Sequence, residues 1–546
     1  MTPARILVIV LLLVMLGVPF ALSLARRGSA PPADAPTLIV VTPHVQQIRD
    51  EFARAFSEWS EREYGSPVHI DWRIPGGTSE IRKQLEAQFH AVVANLDQLG
   101  SWTVDDSGAL RLGPGAIGYD VMLGGGSYDH DQLRRGFDEH VGIHKGEGST
   151  SVSLDLDVHV PLSAPAGFPQ QQLDAWFGEN KIGPQKLYDP DQYWLGTALS
   201  SFGIVYNRDL MTELGLDTPT SFDDLARPEL HAMVALCDPR QSGSITTTFD
   251  SILGNMGWDK GWRLLRAMCG NASYFTATST RPPIDVSQGD AAIGLAIDFY
   301  GRGQAQTVPS GRVGYAEPEA AVYVDADPVS ILNGAPHPEL AKRFVEFCMT
   351  EEAQALWQFP PLDTPEGENN PLGPDGERLG PTHNALRRMP VRRVMYDKYL
   401  PHFVDQANPY EFVSDISNPG WRTGVQVMMG CFAVDIPQDC STAWGAICKA
   451  RLDPDFPTQT LARMEEAYFA WPETPVNADG GFDDNNPVAH LPWTQENYGA
   501  VRNAWRPKGA LPRARIYYTR WFRQQYRRVL EIASNPDAAL AGVSAP

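Results

Sequence analysis

This 546-residue sequence predicts an α/β chain followed by a mainly helical and irregular C-terminal extension. Three observations carry the prediction. Short β-branched runs alternate with amphipathic helical periodicity across residues 37–360, the pattern of a parallel sheet covered by helices. Glycine-rich or hydroxyl-rich turns stand where strands hand over to helices. Beyond Pro360 the alternation stops, and residues 361–381 read as a loop rich in Pro, Gly and Asn.

Composition bounds the function classes. With 43% hydrophobic and 20% charged residues the chain is ordinary globular material. A formal charge of −21 argues against nucleic acid as a partner, which needs a basic footprint. Local anion binding stays open, because helix N-termini achieve it within an acidic protein.

The N-terminus indicates export. Arg5 precedes an apolar run over residues 6–25, and Arg26–Arg27 follow. The run is just long enough to span a bilayer. Residues 1–27 therefore read as a signal peptide or an N-terminal membrane anchor, with arginines on both flanks leaving orientation undecided. Residues 28–36 form a Pro/Ala-rich linker. Six cysteines in an exported chain permit disulfides. Cys237 and Cys269 are one candidate pair, and Cys348 is a candidate partner for one of Cys431, Cys440 and Cys448. No CxxC spacing supports a zinc or redox site.

The elements follow in order. Residues 37–42 (TLIVVT) read as a buried parallel strand that Pro43–His44 ends. Ile48, Phe52, Ala55, Phe56 and Trp59 recur at helical spacing. Residues 68–72 form a second strand, and Gly76–Gly77–Thr78–Ser79 leads into a helix marked by Ile81, Leu85 and Phe89. Those glycines and hydroxyls suit either a bound solute or a plain cap. Residues 95–115 read as a surface hairpin or loop, 119–123 as a strand, and Gly124–Gly125–Gly126 as either a close backbone approach to a ligand or a plain turn. Residues 145–192 are loop-rich. Trp194, Phe202 and Tyr206 are candidate aromatic walls beside a strand over 202–206. Residues 233–237 make another strand, and Ser242, Ser244, Thr246, Thr247 and Thr248 crowd the next helix start, a surface suited to oxygen or anion ligands. Residues 292–299 read as an apolar strand ending at Tyr300, and residues 338–346 as a helix. In the extension, residues 458–469 and 517–532 are helix candidates, the second basic and aromatic.

Five of these segments resemble, in order, the extracytoplasmic solute-binding proteins of ABC importers, in particular their ferric-ion type with a type II-like periplasmic binding fold. They are the stretch opening at Gly196, the turn DPRQSGS at 238–244, the segment SQGDAAIGLAIDFY at 287–300, the return strand within 319–333, and the helix pair PELAKRFVEF and EEAQAL. The resemblance covers roughly residues 37–360. It implies a two-lobed fold: lobe one from 37–190 and 316–360, lobe two from 191–315, and an extension over 361–546. It also implies a periplasmic, monomeric binder that delivers a small solute to an inner-membrane permease, released or tethered. The implied solute site gathers Thr42, His44, Gly76, Gly77, Thr78, Ser79, Gly125, Gly126, Trp194, Tyr206, Ser244, Thr246, Thr247 and Tyr300. In the ferric-ion branch adjacent tyrosines coordinate iron; here Phe299–Tyr300 leaves one phenolate, and His44 roughly matches that branch's histidine. Iron or another metal, a small anion such as a phosphonate, and a thiamine-like cation are the open ligand classes, with no resident cofactor expected.

The alternative class is an anchored cell-surface hydrolase or a non-transport interaction module. It rests on the long extension and on abundant carboxylates, among them Asp120 and Asp298 near strand ends. The sequence holds no GxSxG, HExxH or GxxxxGK[ST] motif, which favours a binder over an enzyme.

Overall fold

The computed structural model describes residues 35–145, 152–308, 311–373 and 375–535. The apolar N-terminal run lies outside them, and no helix among the described residues is long and apolar enough to cross a membrane.

Strand β1 (Thr37–Val41) pairs in parallel with β2 (His69–Arg73) on one side and β3 (Val121–Leu123) on the other. Helices α1 (Gln46–Tyr64), α2 (Thr78–Val93) and α3 (Ser127–Arg135) follow these three strands. Strand β4 (Leu195–Asn207) is buried along its whole length. After it come β5 (Val234–Cys237), β6 (Ala272–Thr276), β7 (Ile293–Ile297), β8 (Val313–Ala316) and β9 (Val324–Leu332), giving the sheet order β6-β5-β7-β4-β9-β3-β1-β2. Residues 195–201 of β4 pair antiparallel with β9, and residues 202–206 pair with β7. One strand thus runs through both lobes. It is longer than its apolar run predicts because β9 supplies ladder partners to Gly196, Ser200 and Ser201 as well.

Helices α4 (Gly243–Met256), α5 (Trp258–Gly270), α6 (Arg281–Gln288) and α7 (Asp298–Thr307) belong to the second lobe. Helices α8 (Pro338–Cys348) and α9 (Glu351–Gln358) return to the first, where Phe344, Phe347 and Trp357 pack on Phe52 and Phe56 of α1.

Three local readings need correction. The stretch expected to be loop-rich, 145–192, holds Val152–Val160, which forms an antiparallel ribbon with Phe137–Lys145 before it, and a short helix at Gln170–Phe177. The alternation VSLDLDVHV is a period-two strand signal. Cross-strand pairs His140–Asp157 and His159–Asp138 face solvent on that ribbon. The apolar strand expected over 292–299 stops at Ile297, so Tyr300 lies in the first turn of α7. No disulfide forms either: all six cysteines are buried free thiols. Each packs as a small apolar side chain, and burial pushes Cys237 and Cys448 up to about 12 and Cys431 to about 11.

The extension divides between the lobes. Met389–Pro390 adds a short strand to β4, and Leu386, Met389 and Val391 enter the first lobe's core. Helices α10 (Arg422–Met429), α11 (Pro437–Leu452), α12 (Thr458–Phe469) and α13 (Ala510–Ser534) share one core with the second lobe. At its centre Arg266 of α5 is fully buried. Its guanidinium lies 4.8–5.8 Å from the ring centroids of Phe432, Tyr468, Trp471, Phe522 and Tyr526.

Candidate functional site

The ends of β1, β3 and β9 in the first lobe face the starts of α4 and α7 in the second. Thr42 closes β1: its hydroxyl donates to the Leu123 carbonyl at 2.8 Å and accepts from the His44 N–H at 3.2 Å. That bond seats His44 against Gly124, whose φ of +87° and missing Cβ make room for the ring. His44 is 4% exposed and neither ring nitrogen has a protein partner. Burial, then Arg388 and Arg49, hold it well below the ordinary histidine range, so the imidazole is neutral.

Arg388 arrives from the extension. It pairs with Asp327 of β9, and its guanidinium lies 4.0 Å from the Phe299 ring centroid. Ser200 also donates to Asp327, at 2.5 Å. Beside this pair Asp325 accepts from the Ser127 backbone at 3.2 Å and its hydroxyl at 2.6 Å, so the start of α3 is occupied by the protein's own carboxylate. Burial pushes Asp325 up to about 7. The Gly126 position must be glycine-sized, since a Cβ there would stand 2.8 Å from Asp325.

The two lobes touch. A Cβ on Gly77 would lie 3.1 Å from the Gln241 carbonyl, and one on Gly243 would lie 2.7 Å from Asp129. Arg422 of α10 donates to the Gly243 carbonyl at 2.9 Å and to the Thr247 hydroxyl, while its guanidinium sits 4.1 Å from the Tyr128 ring centroid in the first lobe. Its counter-charges are Asp129, Asp250 and Asp325; burial pushes Asp250 up to about 7.

Between the lobes lies a cavity of about 310 Å3. Val45, Gln47 and Ile48 at the start of α1 form one wall. Phe299, Tyr300, Gly303 and Gln304 of α7, with Thr280, Pro283 and Ile284, form the second. Ala385, Leu386 and Arg387 of the extension form the third. Among the described residues no carboxylate lines it. The start of α1 has no side-chain cap and no acidic residue in its first turn. Arg387 is oriented by Asp405 and Gln306.

Of the expected site residues, His44 and Tyr300 stand beside Arg388, and Gly76, Gly77, Thr78, Ser79, Gly125 and Gly126 lie where α2 and α3 approach the second lobe. Thr78 and Ser79 are buried, the methyl of Thr78 filling the space over Gly125. Ser244 is partly exposed at the α4 start. Others are corrected. Trp194 belongs to the first lobe's core, its indole donating to Asp131 at 2.8 Å. Tyr206 pairs with Ile293, at the end of β7 opposite the cleft, and its hydroxyl accepts from Arg208. The hydroxyls of Thr246, Thr247 and Thr248 turn back onto carbonyls of the same helix start, so they do not present donors to a solute. The expected metal ligands His44 and Tyr300 both stand near arginines. Arg388 acts on both, Arg49 acts on His44, and no group of three His, Cys, Asp or Glu among the described residues could hold a metal ion. A guanidinium beside both candidate ligands opposes a cation.

Arg387, Arg388 and Arg422 were not expected, since the recognisable motifs end near residue 360. The signal for Arg387 and Arg388 was the run LRRMPVRR at 386–393, basic within an acidic chain; Arg422 lies outside it.

An α/β protein whose two lobes share strands and face each other across a cavity has room for a small solute between them. Residues 170–379 match the model of the family of bacterial extracellular solute-binding proteins. Among curated relatives it is 24% identical over 247 residues to an uncharacterized protein of Haemophilus influenzae, covering 39% of this chain and 66% of the relative. It is 22% identical over 197 residues to the phosphoglycerate transport regulatory protein PgtC of Salmonella typhimurium, covering 36% and 48%. The chain thus spans between about half and two thirds of the length of these relatives. Similar solved structures include the periplasmic binding protein AfuA of Actinobacillus pleuropneumoniae with fructose-6-phosphate bound, at TM-score 0.43 and 16% identity over 59% of this chain and 82% of that one. The ferric binding protein of Campylobacter jejuni gives TM-score 0.44 and 13% identity over 75% and 99%.

Proposed function

We propose that the protein is the extracytoplasmic solute-binding component of an ABC-type importer. It closes two lobes on a small anionic solute and hands it to a membrane permease, acting as a monomer that is either released or held by its N-terminal segment. The observation that carries the anionic reading is the interlobe cavity: an uncapped start of α1 and Arg387 line it, and among the described residues no carboxylate does. Exposed N–H groups at a helix start and a guanidinium both favour negative charge. Gln47, Gln304 and the Tyr300 hydroxyl supply neutral donors and acceptors for the rest of the solute, and Phe299 an apolar wall. The neutral His44 ring, buried next to Val45 of the cavity wall, has two ring nitrogens without a protein partner. The name of the Salmonella relative makes a phosphorylated small carboxylic acid the first compound to try.

Binding to the native state raises apparent stability by about 2.7 kcal/mol at a hundredfold excess over Kd. The test is a thermal-shift screen with 3-phosphoglycerate, sugar phosphates, inorganic phosphate, phosphonates, ferric citrate and thiamine. The expected result is a saturable shift with a phosphorylated acid, reduced in Gln47→Ala and Tyr300→Phe. A shift confined to ferric or thiamine ligands overturns the anionic reading, and silence across the panel removes the support for solute capture.

A further inference from the structure

Helix α13 and its approach carry a charge pattern that solute capture does not use. Residues 498–535 hold nine of the chain's 45 basic residues and one of its 66 acidic ones, Glu531. The helix spans 25 residues, about 37 Å at 1.5 Å per residue. Its inner face, Ala514, Tyr518, Phe522, Tyr526 and Val529, is buried against the second lobe. The opposite face presents Arg513, Ile516, Arg520, Gln524, Arg527, Arg528 and Glu531 to solvent in one stripe, Arg513 also donating to the Phe482 carbonyl at 3.2 Å. Ile516 is 61% exposed in the middle of it.

Only part of this charge is neutralised by the protein. Arg515 pairs with Asp435 and Arg523 with Asp439, both on the flank of the helix. Among the described residues no carboxylate lies within ion-pair distance of Arg513, Arg520, Arg527 or Arg528. An acidic protein that concentrates unpaired arginines on one straight helical face has an orienting patch. Guanidinium groups in a row about 22 Å long, from Arg513 to Arg528, match a flat array of phosphates better than one compact ligand. A membrane is also the surface that the sequence itself points to, through the apolar run over residues 6–25.

We infer that the outer face of α13 docks on an anionic phospholipid bilayer surface. The arginine stripe contacts headgroup phosphates and Ile516 reaches the interface, which sets the orientation of the second lobe above the membrane. The rest of the acidic body is repelled by the same surface, so contact is confined to this face.

The experiment is co-sedimentation of the full chain with vesicles of phosphatidylcholine alone and of phosphatidylcholine with 30% phosphatidylglycerol. The N-terminal segment contributes to both, so the ratio of the two partition coefficients isolates the headgroup charge. Basic side chains near an anionic surface contribute about fivefold each in affinity. The expected ratio is at least tenfold, collapsing toward one in 0.5 M salt and in the R513Q/R520Q/R527Q/R528Q variant. Unchanged circular dichroism and melting temperature show that this variant is folded, and R515Q/R523Q, which touches the paired arginines, keeps most of the ratio. Equal partition onto both vesicles, or a fourfold variant that still prefers phosphatidylglycerol, overturns the inference. That outcome leaves an acidic protein as the occupant of the stripe.

Discussion

Glu51 on α1 ties the extension to the first lobe, and its removal should loosen a wall of the solute cavity. Its carboxylate is 2% exposed and accepts backbone N–H groups of Thr382, His383 and Asn384 at 2.7, 2.8 and 2.9 Å, with the Asn384 side-chain amide at 3.1 Å. A hydrogen bond to a charged acceptor contributes about 1.5 kcal/mol net, so the three backbone bonds amount to about 4.5 kcal/mol. The donors are partly open to solvent once the carboxylate is gone, and water recovers some of this, leaving a loss of about 3 kcal/mol in Glu51→Ala. The loss falls on the strap of residues 382–391 that delivers Arg387 and Arg388 to the cleft. Hydrogen exchange reads it directly: amide protection over 382–391 should drop about 100-fold, with the amides of β1 little changed. Glu51→Gln, which keeps one neutral oxygen acceptor, should fall between. Protection over 382–391 equal to wild type would refute the claim that Glu51 anchors the strap, whatever the global stability does.

Three further outcomes are expected. Tyr128→Ala removes the ring under Arg422 across the cleft, a desolvated cation–π contact of about 1–2 kcal/mol. Solute affinity by calorimetry should fall about 5- to 30-fold with the unliganded melting temperature little changed. Asp298, fully buried at the start of α7, is pushed up to about 7 by burial, with Arg302 opposing. The folded state therefore keeps a proton that the unfolded chain releases, and its contribution to stability is lost as pH rises from about 4 through about 7, by at most about 1.4 kcal/mol per pH unit. Asp298→Asn should abolish that slope, so that melting curves of the two proteins diverge in the variant's favour between pH 5 and 8. Finally, with all six thiols buried and unpaired, reductant should leave the melting temperature unchanged, and a thiol reagent should label the protein only after denaturation.

How far the sequence revealed this arrangement depends on how local each signal was. β1 follows from its β-branched run and α1 and α2 from apolar periodicity, signals carried within each segment even though β1 pairs with β3 and α1 packs on α8 and α9. The Glu51 anchor could not be read, since its donors lie more than 330 residues away in a Pro-rich loop with no periodicity. Tyr206 was misplaced for a different reason. Its strand was correctly identified, but which end of β4 faces the cleft depends on its antiparallel register with β7, which no property of residues 202–206 encodes. The threonines at the α4 start were correctly positioned and wrongly oriented: hydroxyls at a helix start compete between backbone and ligand, and here the backbone carbonyls win. His44 carried its own signal, a histidine closing a buried strand. The arginines beside it, which decide the charge of the solute it suits, came from beyond the recognisable motifs.

The split of the extension has a mechanical consequence. The chain passes between the lobes within β4, again before β9, and a third time at residues 414–420, where Ser414 bonds Val322 through both its backbone and its hydroxyl. Two passages side by side make a hinge with one soft axis. A third, hydrogen-bonded to the second, acts as a leaf in a laminated spring, raising torsional stiffness without adding a contact in the cleft. A hinge stiffened in this way resists twisting of one lobe against the other, so relative motion of the lobes is channelled into a single bending direction.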